Sequence, residues 1–308
     1  MHRDGDHFQC PAGHAIVVRD GYLDASGEPA DPGTARTLAS FGYEWTTFGA
    51  IQPEDERFWK LYVQDLPLDA LAGRVGLDAG CGKGRFTYFT ARHVCTLVAL
   101  DGSDAVRSAV ANLAPLDNVT VVRSDVRSTP FADASFGFVS CLGVLHHLSD
   151  PRAGFDELVR VLAPGGYLLL YVYSRPTRPG VRAGGLAVAR AMRTVTIRMP
   201  HRPLRAFSAA VAAALWPLVV LLRRGAGRPG RDQAPLATYR DKPFRSLWLD
   251  TFDRLSAPLE TRYRWEELAV WLDQAGLVVD RAREQAGWFV VAHRPDDKPA
   301  GSIPRPEA

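Results

Sequence analysis

The chain has 308 residues, 46% of them apolar and 23% charged, a balance that excludes a disordered or fibrous polypeptide and suits one elaborated α/β domain. Its four cysteines, at 10, 81, 95 and 141, form no disulfide framework, and the opening MHRDGD lacks the apolar stretch of a secretion signal, so a reducing, cytoplasmic setting is expected. The net charge of +3 hides a block: residues 175–245 hold fifteen Arg and Lys against Asp232 and Asp241, while the remainder is net acidic.

Residues 1–40 read as an N-terminal hairpin segment. The stretch FQCPAGH at 8–14 looks like the remnant of a small zinc ribbon. A closed structural zinc site takes four ligands, and Cys10 and His14 have no second CxxC pair, so no metal is expected there. Residues 15–23 then read as a β-hairpin. From residue 74 onward, short apolar runs alternate with helix-length segments. Strands are predicted at 74–79, 96–101, 119–125, 136–142 and 166–173. They are rich in Val, Leu and aromatics without clean alternation, the pattern of strands buried on both faces of a parallel sheet.

Helices are predicted between them at 85–93, 105–113 and 152–162. The third has Asp150 as N-cap and Pro151 at its first position, and it stops at Pro164-Gly165-Gly166. This alternation predicts a doubly wound α/β core over 41–173. Residues 174–250 interrupt it as an Arg- and Ala-rich helical insertion. The core resumes over 251–293, with a helix at 265–274 and an antiparallel pair of strands at 277–283 and 288–292. The tail 294–308 is Pro-rich and expected to be disordered.

The sharpest chemical signal is VGLDAGCGKGRF at 75–86. A buried strand ends in Asp78, and glycines at 80, 82 and 84 precede a helix start. Such glycines permit a tight turn and close approach of backbone to a ligand, while the helix N-terminus offers unpaired N–H groups. A dinucleotide fingerprint would need its third glycine at position 85, which is Arg, so a nicotinamide oxidoreductase is disfavoured. Asp78 would repel a pyrophosphate but suits the cationic amino group of a methionine moiety. Asp101 ends the second strand, where a carboxylate can accept from both ribose hydroxyls. Asp125 ends the third, where it can accept from an adenine amino group with the backbone of Val126 beside it.

Taken together, VGLDAGCGKGRF, Asp101, SDVRSTPFADASFGFVSCLGVLHHLSDP and ELVRVLAPGGYLLL resemble the motifs of class I S-adenosylmethionine-dependent methyltransferases, specifically the methyltransferase-11-like group, over roughly residues 75–173. The resemblance implies a Rossmann-like seven-stranded sheet with its last strand antiparallel, and S-adenosylmethionine as methyl donor. Carried onto this chain, Asp78, Gly80, Cys81 and Gly82 would line the methionine portion. Asp101 and Gly102 would hold the ribose, Asp125 and Val126 the adenine, and Cys141, Leu142 and Gly143 would lie beneath the sulfonium. The aromatic stretch around Tyr43 and Trp45 is folded over the donor in similar proteins, though ordinary packing is an equal reading.

His146 and His147 follow the fourth strand and form the candidate catalytic pair, since histidine titrates near neutrality and can take a proton from an O–H or N–H nucleophile. A structural role is the competing reading, because methyl transfer from an activated sulfonium can proceed largely by positioning. Acceptor-side candidates are Asp253 and Tyr263, on the re-entry segment 246–263 that in similar enzymes lines the acceptor pocket, and Tyr173.

Within the insertion, residues 206–222 form an uncharged run of seventeen, bracketed by arginines. As a helix this run spans about 26 Å, short of a hydrocarbon core of about 30 Å. Three readings stand: a soluble helical cap over a substrate pocket, an interfacial helix on an anionic membrane through 174–245, and an RNA surface. Nucleic acid is disfavoured because the arginines alternate with Ala, Val and Leu rather than with stacking aromatics. The expected substrate is a small apolar or amphipathic molecule: a lipid, polyketide, quinone-like or glycosylated intermediate. The alternative from another class is a methyltransferase-like binding module that does not turn over.

Overall fold

The computed structural model describes residues 2–4, 7–9, 15–29, 31–176, 180–224, 236 and 239–296. Cys10, His14 and the tail beyond 296 lie outside them, so the readings of a degraded zinc ribbon and of a disordered tail fall on undescribed residues. The chain divides into two compact units, one of 1–175 with 259–308 and one of 176–258.

The first unit is built on an eleven-stranded sheet. Its strands are β1 (His2–Asp4), β2 (His7–Gln9), β3 (Ala15–Arg19), β4 (Tyr22–Asp24), β5 (Val75–Ala79), β6 (Thr96–Asp101), β7 (Val119–Arg123), β8 (Phe136–Leu142), β9 (Leu162–Tyr173), β10 (Val278–Glu284) and β11 (Gly287–His293). They run in the order β1-β2-β3-β4-β7-β6-β5-β8-β9-β11-β10. The seven strands from β7 to β10 are the expected set: β5 to β9 are parallel, and β11 enters antiparallel between β9 and β10. The four additional strands come from the N-terminal segment. The expected hairpin forms as β3 and β4, with Asp20 and Gly21 both at positive φ in its turn. β4 then docks parallel on β7, so the hairpin extends the sheet instead of standing apart.

Neighbouring residues on the central strands point to opposite cores. Val139, Leu168 and Val290 join one cluster beneath helices α5 (Pro151–Val161) and α9 (Trp265–Gln274). Phe138, Leu169 and Val291 join the other, together with residues of α2 (Pro53–Val63) and α3 (Arg85–Thr90). These strands are covered on both faces, which is why their sequences do not alternate. Helix α4 (Val106–Leu113) completes the layer beside β6 and β7. Helix α1 (Pro32–Thr47) begins well ahead of the core boundary expected at 41, capped by Asp31, whose Oδ1 accepts from Thr34 N at 2.9 Å.

The second unit holds α6 (Val181–Thr196), α7 (His201–Arg224) and α8 (Phe244–Ser256). Ala212, Val219, Tyr239 and Leu247 form its own small core. Trp248 Nε1 donates to Arg205 O and Ser208 Oγ, both at 3.1 Å, and pins α8 to α7. The unit therefore extends through residue 258 rather than ending at 250. Residues 251–256, expected in the resumed core, belong to α8.

Candidate functional site at the carboxyl edge of the sheet

Strand order reverses between β5 and β8, and in open α/β sheets ligands bind in the crevice outside the carboxyl ends of the strands at such a point. The glycine turn leaves β5 here. Gly80, Gly82 and Gly84 all have positive φ, and a methyl group on Gly80 would stand 2.2 Å from Val144 Cγ2, so only glycine fits. Cys81 lies buried within the turn.

Asp78 and Asp101 flank this turn and are held by short hydrogen bonds. Asp78 accepts from Thr87 Oγ1 at 2.6 Å and from Ser140 Oγ at 2.9 Å. Asp101 accepts from Gly82 N at 2.9 Å and, through its other oxygen, from Ser103 N and Oγ. Burial pushes both carboxyls above their ordinary range, and Asp101 adds repulsion at Asp78. Arg123 partly offsets the charge of Asp101, whereas Asp78 is in no salt bridge among the described residues, so a cation arriving beside Asp78 would relieve it. Asp101 does not cap α4; Ser103 Oγ accepts from Ala105 N at 3.2 Å.

Asp125 differs. Arg127 clamps it through Nε and an outer guanidinium nitrogen, the latter at 2.6 Å, and donates to Ser149 Oγ at 2.6 Å. Its charge is already matched, which leaves it a positioning role through the remaining lone pairs, with Val126 buried beside it. Cys141 is fully buried under the tip of β8, and burial pushes its thiol well up, so it is a packing residue. Leu142 follows at the strand end, and Gly143, at φ +85°, has nothing within 4 Å of where a side chain would start.

Helix α1 runs across these strand tips. Thr34 Oγ1 meets Ser149 Oγ at 3.1 Å, and Phe41 packs edge-on against the His147 ring at 4.9 Å between centroids. A methyl group on Gly102 would lie 3.1 Å from Leu38, and one on Gly82 would lie 3.2 Å from the Trp45 indole nitrogen. Trp45 thus covers the glycine turn, with the Arg85 guanidinium 5.0 Å from its ring centroid. Trp59, by contrast, is core, packed on Phe89 and hydrogen-bonded to Thr90.

The loop after α1 is tied down by two residues that sequence reasoning passed over. Lys83 Nζ donates to Ala50 O at 2.7 Å and pairs with buried Asp55 at 3.4 Å. Asn112 Nδ2 bridges Gly49 O and Lys83 O. A lysine between two turn glycines was the available signal for the first.

Beside the crevice, His146 and Tyr173 stack at 3.8 Å, and the Arg262 guanidinium lies 4.8 Å from the Tyr173 ring centroid. Arg262 is itself buried and paired with Glu260 at 2.8 Å. His146 is fully buried with neither ring nitrogen hydrogen-bonded among the described residues, and burial, aided by His147 and Arg262, holds it well below the usual histidine range. His147 Nδ1 sits 2.7 Å from Leu259 O, which as a carbonyl must accept, so Nδ1 carries a proton.

One acceptor-side expectation lands elsewhere. Tyr263 pairs with Tyr173 through backbone, but its ring packs on Trp271 in the core under α9, and burial pushes its hydroxyl up to about 12. Successive side chains on an extended segment point oppositely, so Arg262 occupies the side where Tyr263 was expected. Asp253 lies on α8, in the second unit. Conversely Tyr171, two residues before Tyr173, joins the aromatic wall through Tyr62 and Phe289. The period of two in GYLLLYVY carried that information.

A parallel sheet of this order, with the glycine turn after its first strand and acids at its next two tips, defines the class I S-adenosylmethionine-dependent methyltransferases. The strand-tip acids Asp78 and Asp101 beside the glycine turn suit a cationic adenosyl donor. Residues 77–170 match the family model Methyltransf_11, described as a methyltransferase domain. The chain is 30% identical over 162 residues to a demethylmenaquinone methyltransferase of Clavibacter sepedonicus, covering 52% of this chain and 65% of that protein. A demethylmenaquinone methyltransferase of Corynebacterium efficiens is 33% identical over 124 residues, 40% of this chain and 52% of that one. The chain thus spans about half to two thirds of the length of these relatives. Among solved structures, a chain in the Haloferax volcanii complex of the Trm112 methyltransferase activator superposes with a TM-score of 0.51. The two are 16% identical, with 83% of this chain and 97% of that one covered, a likeness of fold alone.

Proposed function

We propose that the protein is an S-adenosylmethionine-dependent methyltransferase acting on a small apolar or amphipathic molecule of quinone-like or lipid-like character. The observation that carries the donor reading is the pair of strand-tip carboxylates, Asp78 buried and Asp101 half-buried, held around a turn that only glycine can make. When bound, the donor supplies an activated methyl group on a sulfonium. Asp78 would face its amino group, Asp101 its ribose, and Asp125 with Val126 its adenine, while Trp45 on α1 excludes water from the turn. The quinone-like class for the acceptor is supported by the relatives named as demethylmenaquinone methyltransferases. It is also supported by the aromatic wall of Tyr171, Tyr173 and His146, a surface suited to a flat apolar ring.

Of the two histidines, His147 is the better base. Its Nδ1 lies 2.7 Å from Leu259 O, which orients the ring, and an imidazole at the strand tips can take a proton from an acceptor hydroxyl or acidic carbon. His146 stays neutral because its burial disfavours the imidazolium, and it orients Tyr173 by stacking. Calorimetry with S-adenosylmethionine tests the donor site: micromolar to submillimolar binding is expected, weakened at least about tenfold by Asp101→Ala. Absent binding, or affinity indifferent to that change, would refute the reading. Release of S-adenosylhomocysteine with hydroxylated quinol acceptors tests turnover.

A further inference from the structure

Helix α7 is apolar on both of its faces. Leu204, Ala212 and Val219 are buried in the second unit. The opposite stripe, Phe207, Ala210, Ala214, Pro217, Leu218 and Leu221, recurs every three or four residues and is exposed. Leu218 is 51% and Leu221 57% exposed, and only 22% of the helix's most apolar 18-residue stretch is buried. A helix on a water-facing surface puts charge on its outer stripe. Here no charged residue occurs between Ala206 and Leu222. Helix α6 repeats the mixture, with Val188 and Val195 more than 60% exposed beside exposed Arg190 and Arg198. Residues 181–224 contain eight arginines and no acid.

We propose that the second unit docks on an anionic membrane surface, with α7 lying in the interface plane, its outer stripe among acyl chains and the flanking arginines at the head groups. Crossing the bilayer is the weaker geometry: the uncharged run is short for the hydrocarbon core, and the inner face of α7 is occupied by α8, which carries Asp250 and Asp253. Self-association through the same stripe would bring two acid-free, arginine-rich segments together, so charge favours anionic lipid over a second copy. This inference rests on the second unit alone and is independent of the methyl-transfer reading.

The test is flotation of the full chain with phosphatidylcholine vesicles prepared with and without phosphatidylglycerol. Binding is expected only with phosphatidylglycerol and is expected to weaken as salt rises. Leu218→Asp with Leu221→Asp is expected to reduce partitioning about tenfold or more, because two exposed apolar side chains are lost from the interface. Arg198→Gln with Arg202→Gln is expected to reduce it less, and mainly at low salt. All four side chains are exposed, and an unchanged thermal unfolding midpoint by circular dichroism establishes that each variant is folded. No flotation with phosphatidylglycerol, or equal flotation by the folded double-Asp variant, overturns the proposal. So does a concentration-dependent dimer that the double-Asp change abolishes.

Discussion

The carboxyl edge of the sheet and the second unit both set charge beside apolar surface, and they do so in opposite ways. At the edge, Asp78 is buried and Asp101 half-buried, each singly placed and fixed by hydroxyls or backbone N–H groups. In the second unit, charge is carried by many arginines, those at 190, 198 and 202 exposed on long side chains beside uncovered Val and Leu. A few buried charges discriminate by geometry, since desolvation makes any misfit expensive. Many exposed charges discriminate by sign and number, with little demand on position. The first arrangement suits one small cationic molecule and the second an extended anionic surface.

The sharpest way to break this contrast is at the turn. Gly80→Ala puts a methyl group into Val144 at a positive φ that Ala disfavours, so the backbone must move. Donor affinity by calorimetry is expected to fall about 100-fold or more. Retained affinity would mean that the turn is not the geometric selector. A step smaller, His147→Ala is expected to lower turnover between about tenfold and 100-fold, with donor affinity nearly unchanged. Loss of donor binding to the same degree would make His147 a structural residue instead.

The smallest effect concerns His146. Its folded-state pKa is lowered, so the unfolded chain binds the proton more readily. Stability from its neutral burial is full above about pH 6.5 and is lost as pH falls below that value, by about 1 kcal/mol at one unit lower. His146→Phe keeps a ring against Tyr173 and removes two unpaired nitrogens. It is expected to raise the unfolding midpoint and to flatten its dependence between pH 5 and 7, followed by thermal melts. An unaltered pH slope would place the titration on another group.

Much of this was legible along the chain. The strand at 136–142 and the helix at 265–274 are found at the expected residues, because a buried strand or a capped helix is specified by its own period and end residues. The acids of the donor edge were legible for the same reason: each ends a recognisable strand. What the sequence hid were partners distant in number. Arg127 neutralises Asp125 from only two residues away and could have been suspected, but Ser149 on Arg127, Trp45 over Gly82 and Arg262 against Tyr173 join segments 22 to 89 apart.

By itself, then, the sequence determined the doubly wound core, the turn at 78–84 and the chemistry of its ligand, since these follow from local period, glycine geometry and the charge of residues at strand ends. Tertiary structure alone decided that the N-terminal hairpin adds to the sheet through β4 and β7. It also decided that α1 covers the turn, that Tyr263 turns into the core while Arg262 takes its side, and that the outer stripe of α7 is left uncovered. Those outcomes depend on which apolar faces find one another, and burial is a property of the assembled surfaces that no single segment encodes.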